Sequence, residues 1–460
     1  LMRQILREEM GFDGVLISDW AAIEEIIYHG YCEDRKEAAV RAAEAGVDID
    51  MMTGIYSENL ASLIEEGILD EELVDEAVFR ILELKNKLGL FENPYKDADE
   101  TKEKEVILCK EHKALAREAA CKSFVLLKNE SALPIKKGQR IAFIGPYTDN
   151  RSMSGSWSFI GHTEDTLTIR EAALESFDNT EATFHPGCPI LGNDIHLEGF
   201  TEQTEEPVSL EQQHKMLEEA IEAAKKADLV IMPLGEHYVQ SGEATSNANI
   251  QIPEIQQTLF NKIYEVNQNI AVVLFSGRPL DIREKAKAIL QVWMPGTEGA
   301  HAVMDVLTGT CSPSGKLPMS FPYCVGQVPV HYNEYSTGRP YTGADKDRFR
   351  SKYLDIPNAP LYPFGYGLSY TTFSISPIEL DKSAMTKTET IQASITIKNE
   401  GSLPGTEVIQ LYIHDRAASV VRPVKELKHF RKIHLQPGES QKVTFHITNR
   451  DLCFLTEHAL

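Results

Sequence analysis

Residues 11–23 read Gly-Phe-Asp-Gly-Val-Leu-Ile-Ser-Asp-Trp-Ala-Ala-Ile, and this run constrains the fold more than any other stretch of the chain. Gly14 and Val15 open a short apolar segment that stops abruptly at Ser18, Asp19 and Trp20. A continuous apolar run of that length predicts a strand buried on both faces, as in a parallel sheet. Where strands alternate with helices, in barrels and open sheets alike, chemistry gathers at the carboxyl ends of the strands. Asp19 therefore has two readings. It is the N-cap of the helix expected from Ala21 to Tyr28, in which Ile23, Ile26 and Ile27 fall at helical spacing, or it is a catalytic carboxylate.

The pattern around this run fixes the class of the first part. Helices are expected over Met2–Met10, Arg35–Ala45, Tyr56–Glu66 and Glu71–Leu88, with a second strand over Val47–Met51. Two parallel strands do not close a barrel, so most of this domain is expected upstream of Leu1. The chain opens inside a helix, so the lack of a leader carries no information. A charged linker follows at 96–110, where the run Lys-Asp-Ala-Asp-Glu-Thr-Lys-Glu-Lys-Glu occupies 96–105. The strand–helix alternation then resumes over 111–325. Strands are expected at Phe124–Lys128, Ile141–Gly145, Leu229–Leu234, Ile270–Ser276 and Ala288–Trp293. Helices are expected at Glu111–Ala120, Leu210–Lys226, Glu254–Val266 and Gly299–Leu307. This is a second parallel α/β domain. Residues 326–374 belong to a stretch rich in Pro, Gly, Ser and Tyr that reads as a surface connection. From 375 to 460 short alternating segments (Ile391–Lys398, Glu407–His414, Val424–Leu435 and Gln441–Thr448) predict a β-sandwich, with no obvious final strand.

Charge narrows the function. The 460 residues carry 46 basic and 69 acidic side chains, a net charge of −23. That balance repels nucleic acid and anionic membranes and favours a neutral or cationic partner. No apolar stretch approaches the ~20 residues of a membrane helix. Seven cysteines at irregular spacing (32, 109, 121, 188, 311, 324 and 453) include no pair with metal-ligand spacing. They read as reduced thiols, which places the protein in the cytoplasm. No metal and no cofactor are expected.

Five motifs occur in order: the segment 11–20, Ser-Gly-Ser-Trp-Ser at 154–158, Pro-Gly-Thr-Glu-Gly at 295–299, Ser-Gly-Lys-Leu-Pro-Met-Ser-Phe-Pro at 314–322, and Tyr-Pro-Phe-Gly-Tyr-Gly-Leu-Ser-Tyr at 362–370. Through them the chain resembles glycoside hydrolase family 3, in its branch of bacterial periplasmic-type β-glucosidases. The resemblance implies a TIM-like barrel, of which 1–95 is the C-terminal part, an α/β sandwich and a fibronectin type III-like domain. It implies that Asp19 is the nucleophile of a retaining β-glycosidase. The partnering acid/base is implied to be Glu243, in the segment Ser-Gly-Glu-Ala-Thr-Ser at 241–246, with Glu236 as the competing choice. The family commonly carries Arg and Asp shortly after this glutamate, where this chain has Asn247 and Asn249. Trp20 is expected to wall the sugar site and Trp157 to face the cleft, since apolar sugar faces stack on aromatic rings. Glu25 is read as a helix-face residue.

The implied activity is β-glucosidase, with β-xylosidase and exo-glucanase as alternatives within the family. A carbohydrate-binding protein that has lost catalysis is the alternative outside it. The expected partner is a β-glucoside or oligosaccharide, with neither nucleic acid nor membrane, and a homodimer is left open. Ile-Gly-Pro at 144–146 superficially resembles a phosphate turn, yet lacks both G-x-G-x-x-G and the P-loop pattern.

Overall fold

The computed structural model describes residues 1–96, 98–158, 163–177, 181–193, 207–282, 285–341, 343 and 348–454. Position 97 of the charged linker and 455–460 of the sandwich lie outside the described residues. The chain divides into two units, Leu1–Ile107 and Leu108–Leu460.

The first unit begins with a π-helix, Met2–Glu9, and continues through α1 (Ala22–Tyr28), α2 (Arg35–Ala45), α3 (Ile55–Glu65), α4 (Glu71–Lys87) and α5 (Glu100–Val106). Caps set the starts. Asp34 accepts the Glu37 N–H before α2, and Asp70 accepts the Glu72 N–H before α4. Small and branched residues fill the core, with Ala38, Ala39 and Ala42 of α2 against Ile55 and Leu63 of α3. Two expectations are corrected here. The charged linker contains the helix α5, because Asp99 caps it by accepting the N–H groups of Thr101 and Lys102. The strand expected at 14–18 is reduced to a single parallel bridge between Ile17 and Ile49. Ile17 is 50% exposed, so the run is not buried on both faces. Among the described residues of this unit its other edge has no strand to pair with.

The second unit is built on a six-stranded sheet. α6 (Lys110–Ser123) leads into β1 (Val125–Asn129) and β2 (Ile141–Ile144). Then come α7 (Ile169–Leu174), β3 (Ala182–His185), α8 (Leu210–Lys226), β4 (Leu229–Gly235), α9 (Glu254–Val266), β5 (Ile270–Phe275), β6 (Ala288–Trp293) and α10 (Gly299–Thr308). The strand order is β1-β6-β5-β4-β2-β3. All neighbours are parallel except β1, which runs antiparallel to β6, so the sheet is mixed rather than wholly parallel. One face packs on α6, α7 and α10, and the other on α8 and α9. Full burial of β4, β5 and most of β6 explains their unbroken apolar runs. The strand order reverses between β2 and β4, a switch point at which ligands of such sheets bind outside the carboxyl ends.

The segment after α10 is more than a surface connection. Leu126 of β1 pairs with Leu368, Phe321 pairs with Tyr362, and Leu317 and Phe321 are buried in the core. Beyond it, β7 (Phe373–Ile375), β8 (Glu379–Leu380), β9 (Ile391–Asn399), β10 (Gly405–Ile413), β11 (Glu426–Leu435) and β12 (Ser440–Ile447) form two sheets, one of β10 and β11 and the other containing β12, β9, β7 and β8. Their inner faces share a core of Ala393, Ile397, Ile409, Ile433 and Phe445, the sandwich arrangement expected. Lys316 pairs with Glu407 at 2.7 Å, tying the sandwich to the segment beside β1.

Candidate active site

In the first unit, Asp19 is not a helix cap. The residue that caps α1 is Ala21, which has a left-handed backbone (φ 55°) and makes no side-chain cap bond. The Asp19 carboxylate is exposed and accepts the Trp20 N–H at 2.7 Å. Among the described residues no cation pairs with it. Its backbone is fixed from below. Asp48, 6% exposed, receives Arg7 at 2.7 Å on one oxygen and Arg80 at 2.9 Å on the other, and also accepts the Leu16 N–H at 2.8 Å. Arg7 donates to Gly14 O at 2.9 Å. The Ser18 N–H donates to Ile49 O at 2.9 Å, while Ser18 Oγ accepts the Met51 N–H at 2.9 Å. Leu16 and Ser18 are thus held on either side of Ile17, and the next residue is the carboxylate. Trp20 is 62% exposed, so its indole is available to a ligand rather than to the core of this unit. Glu25 is an exposed residue of α1.

In the second unit, the segment after β4 carries both glutamates considered as acid/base. Gly235 ends the strand, where a Cβ would lie 1.8 Å from Phe275 O, so only glycine allows this approach of β4 to β5. Gly145 does the same at the end of β2, since its Cβ would lie 2.3 Å from Pro233 O. The glycine of Ile-Gly-Pro therefore serves strand packing. Glu236 is 2% exposed and ion-paired with Arg278, with Nε 2.6 Å from Oε1. Burial pushes its pKa up to about 7 against the opposing pull of Arg278. The neighbouring His237 is held down to about 4 by burial alone. Glu243 is exposed, in a loop with no helix or strand of its own. The motif Ser-Gly-Ser-Trp-Ser packs on this loop. Ser156 Oγ donates to Ser241 O at 2.7 Å, and a Cβ on Gly242 would lie 2.5 Å from Ser156 Oγ and 3.4 Å from the Trp157 ring nitrogen.

The structure thus brings Trp157 and the Glu243 loop together, with Asp19 and Trp20 in the other unit. Asn247 and Asn249 build local turns, in which Asn247 accepts the Asn249 N–H at 3.1 Å and Asn249 accepts the Gln251 N–H at 3.0 Å. With Glu236, Gln240 and Gln257 they line a cavity of about 460 Å³. Asp48, Arg7, Arg80 and Arg278 are supporting residues that the sequence pattern does not reveal. The only available signal was the occurrence of Asp48 inside the expected strand Val47–Met51 and of Arg278 just beyond the apolar run Ile270–Ser276.

Comparison with known proteins matches each part of the chain. "Glycosyl hydrolase family 3 N terminal domain" fits residues 1–84, "Glycosyl hydrolase family 3 C-terminal domain" fits 124–370, and "Fibronectin type III-like domain" fits 407–459. A periplasmic β-glucosidase of Salmonella typhimurium is 40% identical over 99% of this chain and 61% of its own length. A β-xylosidase of Formosa agariphila is 34% identical over 99% of this chain and 62% of its own. The solved β-glucosidase of Listeria innocua in complex with isofagomine is 42% identical, with a TM-score of 0.89 over 99% of this chain and 61% of that one. The chain therefore spans about three fifths of the length of the relatives it matches.

The Salmonella protein is periplasmic by name, which overturns the cytoplasmic placement. All seven cysteines are free, but Cys32, Cys121 and Cys188 are buried. A thiol shielded from oxidants does not report its compartment. Part of a barrel, a doubly wound α/β sheet and a fibronectin-like sandwich follow one another here in the family's order, with matches across all three, and the chain belongs to glycosyl hydrolase family 3.

Proposed function

We propose that this chain carries the two catalytic carboxylates of a retaining β-glucosidase that removes terminal, non-reducing β-D-glucosyl units. The observation that carries this reading is the Asp19 carboxylate. It is exposed, its backbone is strapped down by buried charges, and among the described residues it is committed to neither a cation nor a helix. An anion held that way is suited to nucleophilic attack. In the first step an Asp19 oxygen bonds to the anomeric carbon while Glu243 gives its proton to the departing glycosidic oxygen. In the second, the Glu243 carboxylate takes a proton from water, whose oxygen displaces Asp19 and frees glucose. Such a pair works at a separation of about 5–5.5 Å. Glu243 is favoured over Glu236 because it is exposed, whereas the Glu236 carboxylate is buried and committed to Arg278.

The Listeria structures, one solved with isofagomine and others with glucose and laminaribiose, support a glucoside as substrate. The Formosa β-xylosidase supports a second reading, with a xylosyl unit in place of the glucosyl one. Turnover of p-nitrophenyl β-D-glucoside and β-D-xyloside by the full-length enzyme decides between them. A higher kcat/KM for the glucoside is expected. A higher value for the xyloside would replace the substrate assignment, and no turnover of either would refute the enzyme reading.

A further inference from the structure

The loop that carries Glu243 has no regular secondary structure between Gln240 and Asn249, so something other than a ladder of hydrogen bonds must hold it. We propose that Arg278 is the positioning residue for this loop, with the Glu236 carboxylate as its buried anchor. The inference rests on reading Glu243 as the acid/base.

Arg278 follows β5, and one Nη donates to both Gln240 O and Thr245 O, the latter at 2.8 Å. Those two carbonyls flank Glu243 on its two sides, so a single guanidinium staples the turn closed around it. The Nε edge of the same side chain faces Glu236, 2.6 Å from Oε1. Glu236 in turn accepts the Gly277 N–H at 3.3 Å, and its own carbonyl accepts the Tyr147 hydroxyl. The loop also rests on a bare backbone. A Cβ on Gly277 would lie 1.7 Å from Ser241 Oγ, so the loop packs on Gly277, and Ser156 Oγ holds the carbonyl of the same Ser241. Arg278 therefore couples the rigid ends of β4 and β5 to the residues on either side of the acid/base. A buried ion pair contributes little net stability once desolvation is counted, and its best-attested use is to fix register. A planar guanidinium with several N–H donors can bridge a carboxylate and two carbonyls, which a lysine ammonium on a flexible stem cannot do in the same geometry.

Displacement of a catalytic group by about 1 Å costs on the order of 10²-fold in rate. The Arg278→Gln variant of the full-length enzyme should show that loss selectively. For β-glucosides with poor leaving groups, kcat/KM should fall at least tenfold more than for 2,4-dinitrophenyl β-glucoside, which needs no protonation. Azide should accelerate turnover. Arg278→Lys, which keeps the charge, should show the same split in weaker form, and it carries the test if the glutamine variant does not fold. Glu243→Ala run alongside separates the two claims. If Glu243→Ala lacks the leaving-group split and the azide effect, the acid/base reading fails. If Glu243→Ala shows both while the Arg278 variants lose rate equally for all leaving groups, or not at all, the positioning role of Arg278 is overturned and the acid/base reading stands.

Discussion

The Asp19 segment and the Glu243 loop solve the same problem with different means. Each presents an exposed carboxylate, and each is supported by a buried one to which the proposed mechanism gives no chemical role. Asp48 supports the first with two arginines and a backbone N–H, and its contacts reach the chain before and beside Asp19 through Leu16 and Gly14. Glu236 supports the second with one arginine and a longer N–H contact of 3.3 Å. The first arrangement anchors the proposed nucleophile, which in-line attack requires to stand fixed. The second staples a loop by its carbonyls and leaves the proposed acid/base side chain itself in solvent. On the proposed assignment, the difference teaches that burial does not pick out the catalytic carboxylate in either unit. In the proposed mechanism the buried acid of each unit is the frame and the exposed one is the reagent.

The largest effect expected on this comparison comes from exchanging the roles within the second unit. Glu243→Ala should cost 10²- to 10⁴-fold in kcat/KM for poor leaving groups, the ordinary worth of general acid–base catalysis. Azide should restore part of the activity. If Glu236→Ala shows that signature instead, frame and reagent have been assigned the wrong way round.

Next comes the frame of the first unit. Asp48→Asn leaves Arg7 and Arg80 half-paired in a buried site, and breaking a buried pair costs about 3–5 kcal/mol. Equilibrium urea unfolding of the variant should show a loss of that order together with reduced turnover. A loss below about 1 kcal/mol would mean that Asp48 does not carry the segment.

The unequal compensation of the two buried acids also predicts a pH effect. The pKa of Glu236 is raised by burial from 4.5 to about 7. The folded state therefore holds its proton more tightly than the unfolded state does. The associated stability is fully present below pH 4.5 and is lost as pH rises through about 7. Glu236→Gln should remove that decline across pH 4.5–7 in a series of Tm measurements. His237, held near 4, contributes a slope of opposite sign in both proteins, so the difference between them isolates Glu236. Parallel curves for the two proteins would contradict the raised pKa.

The smallest effect belongs to the exposed indole. Trp20→Ala should raise KM several-fold, the loss of one aromatic contact worth about 0.5–1.5 kcal/mol. Stability should stay within about 0.5 kcal/mol, as for surface substitutions generally. A large stability loss with unchanged KM would make Trp20 a packing residue.

Much of this comparison was legible in the sequence where a pattern repeats locally. The 3.6-residue periodicity of Arg35–Ala45, Leu210–Lys226 and Glu254–Val266 gave those helices their observed bounds, and the apolar runs of β4, β5 and β6 marked the sheet core. Strand direction was not legible. β1 opens on the buried apolar run Val125–Leu127 like the parallel strands and runs the other way, and nothing in the alternation records orientation. β3 escaped because Ala-Thr-Phe-His mixes polar and apolar residues over only four positions. The strand expected at Gly14–Ser18 became a single bridge because an apolar run states only that a surface needs covering, not that a partner is at hand.

At the candidate site, Asp19, Glu243 and Trp157 could be proposed from the sequence because they sit within short motifs. Asp48, Arg7, Arg80 and Arg278 could not. Their partners lie tens of residues away, and an arginine in a sequence looks the same whether it is solvated or stapling a loop. Asn247 and Asn249 looked like lost anchors. They are turn formers, and the arginine that grips this loop comes from the segment after β5 instead.

The most direct test of the central claim is covalent trapping of the nucleophile. Full-length enzyme inactivated with 2,4-dinitrophenyl 2-deoxy-2-fluoro-β-D-glucoside, then digested and mapped by mass spectrometry, should carry the fluoroglucosyl label on Asp19 alone. A label on Asp48, on Glu236 or on any carboxylate other than Asp19 would contradict the account.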